Sequence, residues 1–258
     1  MAEKTALVLS AGGLFGAYQA GAWIELAGRF QPDMIVAASV GALNGWAIAG
    51  GCKPDELTEH WRGSAAGGFL KWREKSNMWR GFFDAASFRA EVGRLTAAYK
   101  PQIRLGIVLA DILRRRSRIV ETPAITATHL TAACAIPFGF PPVRIDGRWY
   151  VDGGLLGALP LWAAAEMGAT RAIAINALPQ LPSRVLRGLV HVVQWCSPER
   201  HGFGTMEVAT IAPSEPLGSL ADSTRWERSR IERWIELGAK DARSITISSL
   251  CPSIGSTE

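Results

Sequence analysis

The chain is short of the residues that build metal centres and disulfide frameworks. Its four cysteines, Cys52, Cys134, Cys196 and Cys251, lie far apart, form no Cys-x-x-Cys pair and have no histidine at metal-ligand spacing. That excludes a zinc ribbon and a stapled secreted scaffold, and the thiols read as reduced, buried groups of a cytoplasmic protein. No apolar run reaches the roughly 20 residues that a membrane-spanning helix needs. The apolar N-terminal stretch is interrupted by Gly12, Gly13 and Gly16 and preceded by Glu3 and Lys4, so it does not read as a signal peptide. Neither a G-x-G-x-x-G fingerprint nor the Lys-Ser/Thr pair of a P-loop is present. There is no internal repeat, low-complexity tract or interdomain linker. The last residues, 251–258, are expected to fray.

What is present is a large apolar inventory. At 258 residues and 48% hydrophobic content the chain can bury a full core, most simply as one α/β domain. The net charge of +5 is unevenly spread. Residues 62–118 hold 13 basic and four acidic side chains, whereas residues 1–61 hold three and six, so one segment carries the basicity. Its aromatic neighbours, among them Phe69, Trp72, Trp79, Phe82 and Phe83, give it the composition of a lipid–water interface. The competing reading is a helical cap that packs those rings inward and solvates its charges. No nucleic-acid motif accompanies the charge, so nucleic acid is not an expected partner.

The hydrophobic pattern opens as a βαβα unit, which implies a parallel sheet. Thr5–Ser10 reads as a strand, Ala17–Phe30 as a helix, Met34–Ala38 as a second strand and Val40–Gly50 as the helix behind it. Further helices are predicted over Asp55–Arg62, Ser87–Tyr99, Ile125–Ala135, Leu161–Met167, Val185–Trp195 and Trp226–Ser244. Strands are predicted over Arg104–Ile112, Ser117–Val120, Arg171–Asn176 and Glu207–Ala212. Asp146-Gly147 between Val143–Ile145 and Arg148–Val151 is a two-residue hairpin signal. Residues 63–81 give no clear pattern.

Three motifs carry chemistry. Ser39 ends an apolar strand and enters a run of small, helix-compatible residues, with Ala37 and Gly41 at the crowded flanking positions: the pattern of a nucleophile elbow. Gly12, Gly13 and Gly16, between a strand and a helix, let successive amides point into one cavity, aided by the positive end of the following helix. Such a nest suits a phosphate or the oxyanion of an acyl-transfer intermediate. Asp152, followed by Gly153 and Gly154, is an acid at a strand end that another loop can approach closely, although Asp-Gly is also a common turn. Two further readings stand beside these. Ser39, Asp152 and then His191 or His201 follow the chain order of an α/β-hydrolase triad, yet Ser39 comes after only one preceding strand. His129 sits in an apolar helical pattern and reads as structural, His60 as surface and Asn44 as a helix residue that bonds a neighbouring loop.

Together these segments resemble the patatin-like phospholipase family. The likeness rests on AGGLFGAYQAG (Ala11 to Gly21), AASVGALN (Ala37 to Asn44) and ACAIPFGFPPVRIDGRWYVDGG (Ala133 to Gly154), in that order and at that spacing. It covers roughly Thr5 to Asn176. It implies a three-layer α/β/α fold with a mainly parallel central sheet, one domain over residues 1–258 and a variable cap-like segment at about 52–103. It implies a Ser39 nucleophile, Asp152 as its only partner, and amides of Gly12, Gly13 and Leu14 as oxyanion donors, with Gly16, Gly41, Gly153 and Gly154 supporting the loops. No metal or organic cofactor is implied, and the expected partner is a lipid or acyl ester, with peripheral contact to an anionic membrane. Two positions depart from the family pattern: Ala37 replaces a glycine, and Phe15 stands where Arg or Lys is usual. The first is expected to be tolerated if φ is negative there. The second suggests weaker catalysis or a more apolar substrate, and the two together motivate the alternative of a degenerate member that binds lipid or acyl chains without turnover.

Overall fold

The computed structural model describes residues 3–63, 70–77, 81–179, 202–219 and 221–245. Four parallel ladders build its centre. Strands β1 (Thr5–Leu9), β2 (Met34–Ala38), β5 (Arg104–Asp111), β9 (Arg171–Ile175) and β10 (Glu207–Ile211) lie in the order β10-β9-β1-β2-β5, and every neighbouring pair in that order is parallel. All five residues of β2 are buried, as the unbroken run Met-Ile-Val-Ala-Ala requires of a strand covered on both faces. On one face pack α1 (Gly16–Leu26), α2 (Val40–Ala49) and α7 (Arg228–Arg243); α6 (Leu161–Glu166) covers the other with Ala163, Ala164 and Met167. α1 and α7 approach closely because Gly21 and Gly238 carry no side chain: a Cβ on Gly21 would lie 2.0 Å from the Ile235 carbonyl oxygen.

The sheet ends in antiparallel strands. β6 (Arg116–Glu121) and β8 (Arg148–Asp152) both pair with β5, and β7 (Val143–Ile145) extends from β8. The hairpin turn is Asp146-Gly147, both with positive φ (49° and 77°), as its sequence predicts. β6 occupies one edge of β5 from Gly106 to Asp111, and β2 takes the other edge only as far as Val108. β8 therefore follows β2 along that same edge, beginning at Leu109, which pairs with Asp152. This succession of two strands on one edge is what brings residue 152 next to residue 39.

Most predicted elements are found within two or three residues of their expected bounds. Residues 63–81, which show no clear pattern in the sequence, hold β3 (Trp72–Asn77) and the start of its antiparallel partner β4 (Gly81–Phe83), between α3 (Pro54–Arg62) and α4 (Ala85–Ala98). The helix predicted over Val185–Trp195 and the frayed end at 251–258 lie outside the described residues. Of the four thiols, Cys52 and Cys134 are free and buried; Cys196 and Cys251 lie outside the described residues.

Candidate functional site

Ser39 sits at the C-terminal end of β2 with φ 55° and ψ −131°, a backbone conformation that costs a non-glycine residue of order 1–3 kcal/mol. The strain persists because strand and helix fix it from both sides. A Cβ on Gly41 would fall 2.7 Å from the carbonyl oxygens of both Leu9 and Ser10, so α2 can press against the end of β1 only without a side chain there. Ala37 is accommodated as expected. It lies in the β2 ladder between Leu9 and Ile107 and is not among the residues of positive φ.

Val108 faces Ala38, and Leu109 faces Asp152. The register thus sets the carboxylate one step beyond Ala38, level with the serine, and the Ser39 hydroxyl donates to Asp152 Oδ2 at 2.5 Å across 113 residues of chain. The Gly154 amide donates to the other oxygen at 2.7 Å. Asp152 is 4% exposed, and burial pushes its carboxyl up to about 6, while the hydrogen bonds from Ser39 and Gly154 pull it down. The two glycines after it allow the close packing that strips water away. A Cβ on Gly153 would meet the Val108 carbonyl oxygen at 2.3 Å, and one on Gly154 would meet the Ala11 methyl at 2.7 Å.

Ala11 leads into the third element. Gly13 has φ 58° and opens a 3-10 turn (Gly13–Phe15) that runs into α1. The Ala11 amide is taken up by Ala158 O and the Phe15 amide by Gly12 O. Among the described residues, the amides of Gly12, Gly13 and Leu14 donate to nothing, as expected of the first turn of a helix. Gly12, Gly13, Ser39 and Asp152 line one open cavity of about 240 Å³. The chemistry available there is a hydroxyl bonded to a base of raised pKa, beside amides with unused donor capacity at a helix N-terminus.

Several neighbours had no signal in the sequence. Ser223 and Thr224, far outside the three motifs, line the same cavity, and the Ser223 carbonyl lies so close over Gly13 that a Cβ there would approach it to 2.6 Å. Trp72 Nε1 holds this segment through Thr224 O at 3.2 Å. Beneath the elbow, Asn44 Nδ2 donates to Gly16 O (2.9 Å) and Gln19 Oε1 (3.0 Å), and accepts from Trp61 Nε1 at Oδ1 (3.0 Å). Gln19 Nε2 in turn donates to Ser10 O at 2.7 Å, so one buried network ties α1, α2 and α3 under both loops. A narrower apolar pocket of about 30 Å³ leaves Ser39 between Leu14, Val40 and Trp61 and ends at Phe88 and Phe140. Those rings are 4.7 Å apart, and behind them lies a separate groove of about 380 Å³.

Phe15, where the family pattern has Arg or Lys, brings no cation to the glycine loop. It is 2% exposed and meets Trp234 edge-on at 5.0 Å, so its ring anchors α7 and lines neither cavity. The basic, aromatic segment is likewise split rather than continuous. Phe83 and Phe88 pack inward on Phe140, whereas Trp72 and Phe82 are exposed; Phe69 and Trp79 lie outside the described residues. Of the histidines, His129 caps its own helix, α5 (Ala127–Ala133), through Thr126, with its pKa lowered by burial, and His60 bonds Glu56 O on the surface. Neither lines the Ser39 cavities; His191 and His201 lie outside the described residues. Among the described residues no group of three or more side chains has the composition of a metal site.

Comparison with known proteins bears on the family and the fold. The family model described as Patatin-like phospholipase matches residues 7–165, which include Gly12, Ser39 and Asp152. The crystal structure of VipD from Legionella pneumophila superposes with a TM-score of 0.51 at 12% identity, over 94% of this chain and 66% of that one. The type III effector protein ExoU aligns over 93% of this chain and 52% of its own length, at 11% identity and a TM-score of 0.43. The chain therefore spans about two thirds of the first of these proteins and about half of the second.

Proposed function

The chain belongs to the patatin-like phospholipase family, and from that premise we propose that it is a serine lipid acyl hydrolase of the phospholipase A or esterase type, working through a Ser39–Asp152 dyad. The observation that carries this reading is the 2.5 Å hydrogen bond from the Ser39 hydroxyl to a buried carboxylate whose pKa is raised to about 6. A carboxylate near its ordinary value of ~4 would be a poor base at neutral pH. Burial moves it towards the range in which it is still ionised at pH 7 and holds a proton more strongly.

In this mechanism the ester carbonyl oxygen rests on the amides of Gly12, Gly13 and Leu14. Ser39 Oγ attacks the carbonyl carbon as its proton passes to Asp152, and the negative charge collects on the oxygen held by the amides. The tetrahedral intermediate collapses, the alcohol leaves with the proton from Asp152, and the acyl group stays on Ser39. Water then gives a proton to Asp152 and attacks the acyl-enzyme; the proton returns to Ser39 as the fatty acid departs. Each amide donor of such a site contributes on the order of 3 kcal/mol to the transition state. Phe15, turned into the core, supplies neither a cation nor a wall of the cavity, so the backbone amides hold the oxyanion without help from that position.

Hydrolysis of fluorogenic acyl esters and of phospholipid in mixed micelles tests the proposal. Ser39→Ala is expected to abolish turnover and His129→Ala to leave it intact. Retained hydrolysis in Ser39→Ala would overturn the reading.

A further inference from the structure

β5 does not stop at the level of the site. Asp111 lies three residues, ~10 Å, beyond the Val108 that pairs with Ala38, and the turn into β6 reaches further still. β8 and β7 rise beside it, with Tyr150 opposite Asp111 and Arg144 opposite Trp149. Two hairpin tips therefore project together from the end of the sheet that holds Ser39.

The composition of those tips is unlike that of an ordinary turn. A turn is ordinarily built from Gly, Asn, Asp or Ser. Here it is Ile112-Leu113-Arg114-Arg115, with Leu113 76% and Ile112 39% exposed. The turn is nevertheless firmly constructed. The buried Asp111 accepts from the amides of Leu113 (3.1 Å) and Arg114 (3.0 Å) and pairs with the Arg114 guanidinium (3.3 Å). That carboxylate holds two large aliphatic side chains in water at a cost in hydrophobic free energy. Beside them Trp149 is 43% exposed, its backbone oxygen accepting from the Ile112 amide at 3.1 Å and its ring lying 6.0 Å under the Arg144 guanidinium. The tips carry Arg114, Arg115, Arg116, Arg144 and Arg148 against two acids, the buried Asp111 and the exposed Asp146. Aliphatic tip, flanking tryptophan and a collar of arginines is the composition of a segment that lies in a headgroup layer.

We propose that the β5–β6 and β7–β8 hairpin tips are the surface by which the protein docks on an anionic lipid bilayer, Ile112, Leu113 and Trp149 entering the headgroup region and the arginines meeting the lipid phosphates. The lipid character of the partner rests on the acyl-hydrolase reading; the surface itself does not. Nucleic acid fits the charge but gives no role to Leu113, and a second copy of the chain would set one arginine collar against another. The placement also gives the docking a purpose. It presents the Ser39 end of the sheet, with the exposed rings of Phe82 and Phe138 at the mouth of the 240 Å³ cavity, to the surface from which an acyl ester must be drawn.

The test separates docking from turnover. Full-length Ser39→Ala protein, which cannot consume the lipid, is sedimented with vesicles of phosphatidylcholine alone or containing phosphatidylserine. Binding is expected only to the anionic vesicles and to fall as salt rises. Added to that background, Leu113→Ser is expected to weaken it about ten-fold or more. Arg115→Gln with Arg116→Gln and Arg148→Gln is expected to weaken it about 100-fold, near five-fold per charge. In the Ser39-containing protein the same changes should leave turnover of a short soluble ester unaltered while lowering turnover of vesicle lipid. Unchanged vesicle binding by both variants, equal binding to neutral vesicles, or displacement of the protein from anionic vesicles by stoichiometric duplex DNA would each overturn the docking surface, even with hydrolysis intact. Absent soluble-ester turnover in an otherwise vesicle-binding protein would sink the hydrolase reading and leave the docking surface standing.

Discussion

Replacing Asp152 by Asn is expected to destroy turnover and, at alkaline pH, to make the protein more stable. The carboxyl is buried and its pKa is raised from 3.8 to about 6, chiefly by desolvation, against the pull of the Ser39 and Gly154 hydrogen bonds. A carboxyl whose folded pKa lies above its unfolded value favours folding most below the unfolded value, near pH 3.8, and loses that contribution as the pH rises to about 6. Above pH 6 the folded protein carries an ionised group it would rather hold neutral, at a cost of up to ~3 kcal/mol for a shift of this size. Asparagine keeps the shape, accepts from Gly154, presents its amide to the Ser39 oxygen and carries no charge. Allowing for imperfect hydrogen bonds, a gain of about 2 kcal/mol is expected at pH 8, or roughly 4–8 °C in Tm for a chain of this size. At pH 4 the two proteins should unfold at nearly the same temperature. Turnover of a soluble ester should fall about 10²- to 10⁴-fold, the range expected for loss of a general base. Thermal unfolding of both proteins at pH 4 and pH 8 is the assay. A variant equally or less stable than wild type at both pH values would refute the desolvated-base reasoning.

Other consequences follow from the same geometry. kcat/KM for a soluble ester should climb through pH 6 as Asp152 ionises and stay level above it, and this acid limb should survive His129→Ala. The pocket beside Ser39 ends at Phe88 and Phe140, with an open groove behind them. Phe88→Ala should therefore join the two and shift preference towards longer acyl chains, by about four-fold in kcat/KM for each additional buried methylene; Phe140→Leu should give a smaller shift in the same direction. An unchanged chain-length profile in both would show that the acyl group lies elsewhere. Asn44→Ala leaves Trp61 Nε1 and Gln19 Oε1 without their partner and is expected to lower stability by about 2–4 kcal/mol, measured by denaturant unfolding. Gly153→Ala, whose methyl would meet the Val108 carbonyl oxygen at 2.3 Å, should fold poorly and release less active protein.

Where local chemistry decides structure, the sequence was enough. Apolar runs bounded by glycine, acid or proline placed β1, β2, α2 and β9, and Asp146-Gly147 placed the β7–β8 turn, because each depends on neighbours in the chain. The meeting of Ser39 and Asp152 was not legible that way. It depends on β8 following β2 along one edge of β5, and only the resemblance to a family anticipated it. The orientation of Phe15 was not legible either, because a motif position says nothing about rotation, and the 3-10 turn before α1 swings the ring onto Trp234. The β3–β4 hairpin escaped notice because Trp72–Asn77 is largely charged or polar and lacks strand alternation. Ser223 and Thr224 reach the site by long-range packing, with no local pattern at all.

The most direct measurement of the central claim is covalent. A fluorophosphonate reporter mixed with the protein, followed by mass spectrometry of the labelled peptide, asks whether Ser39 is an activated nucleophile beside an anion-binding nest. The expected result is one adduct, on Ser39, forming faster as the pH passes about 6 and not detectably in Asp152→Asn. An unlabelled Ser39, or one that reacts equally fast without the carboxylate, would contradict it.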